Sequence, residues 1–288
     1  MTIAQMQQFR DAGIAGIVEE VAKAFPLVTR TNVIEVKGNI INVPAITKDI
    51  EGVFRPAYTG KTGGYESETR PVNLSFCDAS WFIDEQVVRS DPQGIDASAS
   101  RAASSAIRGA MFALEKAAFN GVGTDGATFK GLNQAITDAN VVDAGGSGDV
   151  TDCYILNDNA VSLFVGGGGL FEAGEIVKSQ ISDADGKIYW AYGQNLSWYA
   201  ALCAVNTFGI ARVKNISKTN KLTDDLVFEA MSRLDASFAP TAIYMSPTGV
   251  RQLQISRTAT SITGAPAPIP VDVSGVPVYI TSAISVLR

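Results

Sequence analysis

The sequence predicts an α+β fold: a strand-rich first third, one long helix, then helices and strands intermixed. Three observations predict it. "TNVIEVKGNIINVPAI", residues 31–46, alternates and is rich in β-branched residues, as paired strands are. "IDASASRAASSAIRGAMFALEKAAF", residues 95–119, is Ala-rich, with apolar residues recurring every three to four positions. Beyond it, helix and strand patterns follow one another without a regular βαβ alternation.

The bulk numbers bound the function. A chain of 288 residues suits one large domain or two moderate ones. Apolar residues at 46% against 18% charged exclude a disordered chain. A net charge of −6 argues against a basic surface that grips nucleic acid, but is compatible with a protein that encloses it. There is no histidine, which removes Ser-His-Asp and Cys-His catalysis and most zinc sites. Cys77, Cys153 and Cys203 are widely spaced and odd in number, so they read as buried thiols of a reducing compartment. The N-terminus lacks the basic start and apolar run of a signal peptide, and no stretch has the length of a membrane span. The expectation is a soluble protein made in a cytoplasm, with no membrane partner.

Taken in order, residues 3–25 form a partly amphipathic helical pattern through Ile3, Met6, Phe9, Ile14, Ile17, Val18, Val21 and Phe25, which Pro26 ends. A docking arm and a surface helix of the same domain both fit it. Residues 27–88 read as strands, with a polar, Gly-rich hairpin tip at Thr59–Glu68. The flanks of that tip are long and modestly apolar, so the projection needs a partner surface.

The long helix, residues 91–120, starts at Asp91-Pro92 or at Asp96 and stops at Asn120-Gly121. Ile95, Ala99, Ala103, Ile107, Ala110, Leu114 and Ala117 form its stripe. "CYILNDNAVSLF" reads as a strand leading into a short helix, and "VGGGGLFEAGE" as a loop. "DGKIYWAYGQNLSWYAALCAVNTFGIARV" carries aromatic, half-buried strands. "LTDDLVFEAMSRLDASF" is a helix capped by Thr223, with Asp224 and Asp225 at the favourable end of its dipole and Leu226, Ala230, Leu234 and Phe238 as its stripe. "PTAIYMSP" is a buried strand, and Ser246-Pro247 opens a short helix through Leu253. A Pro-rich loop and a strand pair around "VSGVPVYITSAI" follow.

The motifs with chemical overtones fail their context. Gly121, Gly123 and Gly126 spell G-x-G-x-x-G, but a dinucleotide fingerprint follows a strand and opens a helix. Here the glycines follow a helix, at the negative end of its dipole. "TGKTGG" has Arg55 where a phosphate-binding loop needs glycine. The run Gly166–Gly169 lacks a following lysine or serine at suitable spacing and reads as a mobile loop. The adjacent acids Asp84/Glu85 and Asp224/Asp225 do not make a general acid–base pair. Trp81, Trp190 and Trp198 read as core or interface residues. No catalytic, cofactor-binding or metal-binding residue is expected.

The order of elements, together with three segments, carries a resemblance. "ALEKAAFNGVGTDGATFKGLNQA", Ala113 to Ala135, looks like a helix end followed by an "NG-G" turn and a "GL" segment; "PTAIYMSPTGVRQL" and "VSGVPVYIT" look like the later strand-Pro-helix unit and "G-PV" strand. With the arm, hairpin and long helix, the chain resembles the major capsid proteins of tailed bacteriophages, of the Hong Kong 97 type fold.

That resemblance implies an N-terminal arm (1–40), an extended loop (41–88), a spine helix with the start of a peripheral domain (89–132), and an axial domain with returning peripheral segments (133–288). It implies a non-catalytic homo-oligomer of pentamers and hexamers, forming the icosahedral shell of a virion round double-stranded DNA, assembled in a bacterial cytoplasm. A separate scaffolding protein, a portal and decoration proteins would be partners. Contact candidates between subunits are Phe9, Ile17, Tyr58, Lys61, Tyr65, Arg70, Arg101 and Arg108. Lys61 sits where some family members cross-link covalently. An encapsulin-like compartment is the rival with the same fold, and a nucleotide-binding enzyme the remote one.

Overall fold

A computed structural model describes residues 24–48, 52–61, 66–124, 127–166, 172–259 and 265–284. The helical pattern of residues 3–25 lies almost wholly outside them. The described chain opens with α1 (Pro26–Arg30), β1 (Asn32–Val36), β2 (Ile40–Lys48), β3 (Glu66–Asn73), β4 (Ser75–Asp78), β5 (Trp81–Asp84) and α2 (Glu85–Ser90). The long helix α3 (Gly94–Asn120) and short α4 (Leu132–Ala135) follow. Then come β6 (Val141–Asp143), β7 (Thr151–Leu156), β8 (Val161–Gly166), β9 (Glu172–Ala173), β10 (Val177–Ser182), β11 (Ile188–Gln194), β12 (Leu196–Ala204) and β13 (Ile210–Ile216). The chain continues through α5 (Asp224–Ser232), β14 (Ala242–Met245), α6 (Pro247–Ala259), β15 (Asp272–Val273) and β16 (Val276–Ile280).

Four sheets result. One runs β1-β8-β12-β4, with β9 also on β12; the second is β10-β11-β5; the third is β15-β16-β14-β7-β13-β6; and β2-β3 stand alone. The hairpin keeps one register from Ile40↔Asn73 to Ile46↔Ser67, and a bulge shifts it by one residue before Lys48↔Glu66. Nine-residue strands extend about 30 Å. Beyond the hairpin, β4 pairs with β12 and β5 with β11, so residues 75–84 belong to the body sheets.

The third sheet divides the interior. On β7 and β14 every residue is buried, and alternate residues face opposite ways, as the two-residue repeat of a strand requires. Tyr154, Leu156, Ala242 and Tyr244 join a core shared with α3 and the first sheet. Cys153, Ile155, Ile243 and Met245 join a second core with Val227 and Ala230 of α5 and Val250 and Leu253 of α6.

Several local expectations are corrected. Pro26 opens α1 at its first turn, where its missing N–H costs nothing, and the helix it was expected to close lies outside the described residues. The long helix begins at Gly94, with neither Asp91 nor Asp96 as its cap. Asp91 instead accepts from the Gln93 N–H and the Ser98 hydroxyl and pairs with Arg101. The buried stripe of α3 runs Ile107, Ala110, Met111, Leu114, Ala118, Phe119, and Ile95 stands 43% exposed.

Residues 85–90 form α2 and not strand; Asp84 caps it through the Gln86 N–H (2.7 Å), which outweighs the β-branched Val87-Val88. "VSLF" is strand β8, joined to β7 by the tight turn Asp158–Ala160. Thr223 caps α5 as expected, but the helix stops at Ser232, and residues 236–238 make a separate turn. Helix α6 runs past Leu253 to Ala259. Cys153 is buried, whereas Cys77 and Cys203 are only half-buried.

The end of α3 explains its glycines. Gly121 N–H donates to Ala117 O (2.8 Å), and Gly131 N–H donates to Gly121 O (3.0 Å). A Cβ on Gly121 would lie 2.1 Å from Phe129 O, and one on Gly131 would lie 2.5 Å from Gly121 N. Two backbones touch here, so the residues are glycine for lack of a side chain. Gly123 takes a left-handed φ of 73°. Gly126, Gly167, Gly168 and Gly169 lie outside the described residues.

Candidate intersubunit surfaces

The hairpin is the first candidate surface. Among residues 52–61, Phe54 and Tyr58 are fully exposed, and Lys61 is exposed beside them. Apolar rings held in water are unfavourable unless something covers them. Tyr65 lies outside the described residues, as do Phe9 and Ile17.

Arg70 sits on β3 at the hairpin root. It lines a cavity of about 750 Å³ with Leu74, Phe76, Phe129, Lys130 and Tyr199. Burial pushes the Cys203 thiol up, and the nearby Arg70 charge opposes this. Burial, and then Asp78, hold the Cys77 thiol at about 11. Neither thiol is poised as a nucleophile at neutral pH.

Arg101 and Arg108 lie two turns apart on α3, about 10 Å along one face. Arg101 is occupied within its own chain, donating to Gln93 Oε1 (2.7 Å) and pairing with Asp91. Arg108 is exposed and makes no hydrogen bond or ion pair among the described residues. The structure thus places Tyr58 and Lys61 together near the hairpin end, Arg70 at its root, and the two arginines on the helix, as three separate patches.

Further exposed apolar residues lie on both faces of one sheet, of which the sequence pointed only to Trp190. On the three-stranded sheet, Phe82 (59% exposed), Ile188 (66%) and Trp190 (47%) face water, with Val177 also exposed. Phe82 stands opposite Gly193 and Val177 opposite the same residue, so the two flank a glycine gap on one face. On the other face Lys178 Nζ lies 5.1 Å from the Trp190 ring and 2.6 Å from Glu85 Oε1. The Lys178 bond, more than the Arg89 charge, holds the Glu85 carboxyl below its usual range. Among the described residues β10 has no strand on its outer edge. Such an exposed edge beside apolar side chains is a template for pairing. Aromatic alternation in "IYWAYG" signalled the strand, but not which of its faces would lack a cover.

Inside the body, Glu115 of α3 is wholly buried, and among the described residues neither carboxyl oxygen has a hydrogen-bond partner. The Thr281 hydroxyl and the Leu27 N–H are close, without reaching normal hydrogen-bond geometry. Burial raises this carboxyl to about 8, against a smaller lowering by those two groups. It is therefore neutral at pH 7. Among the described residues, no group of three His, Cys, Asp or Glu could hold a metal ion, and no helix is long and apolar enough to cross a membrane.

No protein-family model and no curated protein matches the sequence. Solved structures do match. A chain of the bacteriophage epsilon15 structure superposes with a TM-score of 0.61 at 19% identity, covering 90% of this chain and 87% of that one. A chain of the bacteriophage JBD30 capsid gives 0.54 at 11% identity, covering 88% of each chain. A chain of the SrpI encapsulin complex from Synechococcus elongatus reaches only 0.44 over 65% of this chain, too slight to argue from. The two stronger superpositions run through nearly the whole length of both partners, and the fold of this chain is the Hong Kong 97 type of tailed-phage capsid proteins.

Proposed function

We propose that this chain is a major capsid protein, which assembles in many copies into the icosahedral shell of a tailed phage. The observation that carries it is the near full-length match in fold to the JBD30 capsid chain, joined to a hairpin whose two strands pair, among the described residues, with no other strand. A two-stranded ribbon is marginal by itself. Docked on neighbours it is stabilised, and repeated weak contacts make a closed shell strong. The role is structural and not catalytic.

In this proposal residues 1–40 lead in as the arm, and 41–88 carry the extended loop, anchored in the body by β4 and β5. Residues 89–132 are the spine, and 133–288 hold the axial domain with its returning peripheral segments. Tyr58, Lys61, Arg70, Arg101 and Arg108 meet neighbouring copies, and Phe9, Ile17 and Tyr65 do so from outside the described residues. The shell is assembled in the host cytoplasm and encloses the double-stranded DNA of the virion, with a scaffolding protein, a portal and decoration proteins as partners.

Electron microscopy of the expressed chain, alone and from phage lysate, tests this. Closed shells are expected. A well-behaved monomer under every condition would overturn the proposal. A Lys61 cross-link would show as a ladder when boiled shells are run on a denaturing gel; monomer alone would discard the cross-link and leave the shell standing.

A further inference from the structure

We infer that the head of α6 is a binding site for closely spaced phosphate groups. Two segments build it. The turn 217–221 after β13 is held by its own hydrogen bonds: Ser217 N–H to Asn220 O (2.9 Å), Asn220 N–H to Ser217 Oγ (3.1 Å) and Asn220 Nδ2 to Ala144 O (2.8 Å). Leu222, wholly buried, anchors its exit. This turn presents Lys218 and Lys221. The second segment is α6, which presents Thr248, Arg251 and Gln252. They line one cavity of about 590 Å³, and among the described residues no carboxylate lines it. That volume falls within the range of small-molecule sites, about 300–1,000 Å³.

The three cations are exposed, and none makes a hydrogen bond or ion pair among the described residues. Their neighbours differ: Lys214 pairs with Asp143, Arg212 with Asp152 and Arg257 with Asp224. Three like charges gathered without a counter-ion repel one another, and an anion between them relieves this.

Two further donors point to the same occupant. Helix α6 has 13 residues and no acid in its first turn, so its positive end is uncompensated. Ser246 Oγ takes the Gly249 N–H (3.1 Å), and the Thr248 N–H makes no hydrogen bond among the described residues. Gln252 is only 6% exposed, and its amide oxygen is enclosed with no partner among the described residues. Its amide nitrogen likewise makes no bond among the described residues, and remains as a donor for a ligand oxygen in the cavity. A side chain this buried that leaves its amide nitrogen unpaired at the cavity wall marks a place for an acceptor, which a phosphate oxygen supplies. Cations, a helix N-terminus and neutral donors make the chemistry of an oxyanion site. Three separate cations in a cavity of this size suit several phosphates, from free polyphosphate or from a polynucleotide backbone.

Calorimetric titration of the purified full chain at low salt tests this, with tripolyphosphate and, separately, a short double-stranded DNA. Tripolyphosphate should bind, about tenfold more weakly to Lys221→Gln and Arg251→Gln. Gln252→Glu, which sets a carboxylate in the wall, should weaken it at least as much. Lys187→Gln, on the distant β10–β11 turn, should change nothing. DNA binding with the same dependence, and a salt slope lowered by about one per cation removed, assigns the site to a polynucleotide. Binding of tripolyphosphate alone assigns it to free phosphate. Lys218→Gln, on an exposed turn, guards against a variant that merely misfolds. Failure of the wild type to bind either probe, or equal loss in Lys187→Gln, overturns the inference. Electron microscopy of the same sample tells that outcome apart from failure of the shell proposal.

Discussion

At the residue scale, Glu115 is the group most at odds with its surroundings. It faces the Leu27 backbone, Thr281 and the Tyr244 hydroxyl, all neutral, and so holds its proton to about pH 8 against an ordinary value of 4.5. Between those values the folded chain binds more protons than the unfolded one. Stability from this group is therefore complete below pH 4.5, and is lost as pH rises towards 8. The loss at pH 7 is about 3 kcal/mol as an upper bound. Glu115→Gln keeps the shape without the titration. Its stability advantage over the wild type in urea melts should grow from pH 5 to pH 8; a constant difference would contradict the assignment. The glutamate was passed over in the sequence because it reads there as one charge on an Ala-rich helix. Only its azimuth on α3, beside Leu114 and next to Ala118, sets it in the core.

At the element scale, the chain's long helix and its stop were legible, and the reason for the stop was not. Asn120-Gly121 marks an end in any helix. That Gly121 is fixed by contact with Phe129 and Gly131 depends on a return of the chain ten residues later. Gly121→Ala would press a methyl group onto two backbone carbonyls, neither of which can move aside as a side chain does. A loss of about 2–4 kcal/mol is expected. An unchanged urea midpoint would refute the close-approach account. Helix α2 was missed for a related reason. Local β preference in Val87-Val88 is weak, and a cap at Asp84 with packing on α3 and β11 overrides it.

At the scale of the whole molecule, the body has two cores back to back on one six-stranded sheet, while the hairpin draws little from either. Ile40 and Asn73 face each other at its base. Replacing residues 41–72 with Asn-Gly should therefore close as a tight turn. The shortened chain should keep the helical circular dichroism of the wild type, lose strand signal and melt cooperatively, yet form no shells by electron microscopy. Shells of normal appearance would show that the projection is dispensable and would remove the chief physical support for the capsid proposal beyond fold likeness.

The sequence by itself determined the class of the fold, the long helix, the hairpin, the Thr223 and Ser246 caps and the buried strand Ala242–Met245, because each rests on neighbours within a few residues. The lack of histidine also excluded whole families of chemistry without any structure. Only the tertiary structure decided which charges are spent and which are left over. Arg101 and Asp91 are ten residues apart and meet at the start of α3, while Lys218, Lys221 and Arg251 come from two distant segments and share one cavity. Pairing and burial are relations between segments, set by how sheets and helices close on one another, and no local pattern of residues encodes them.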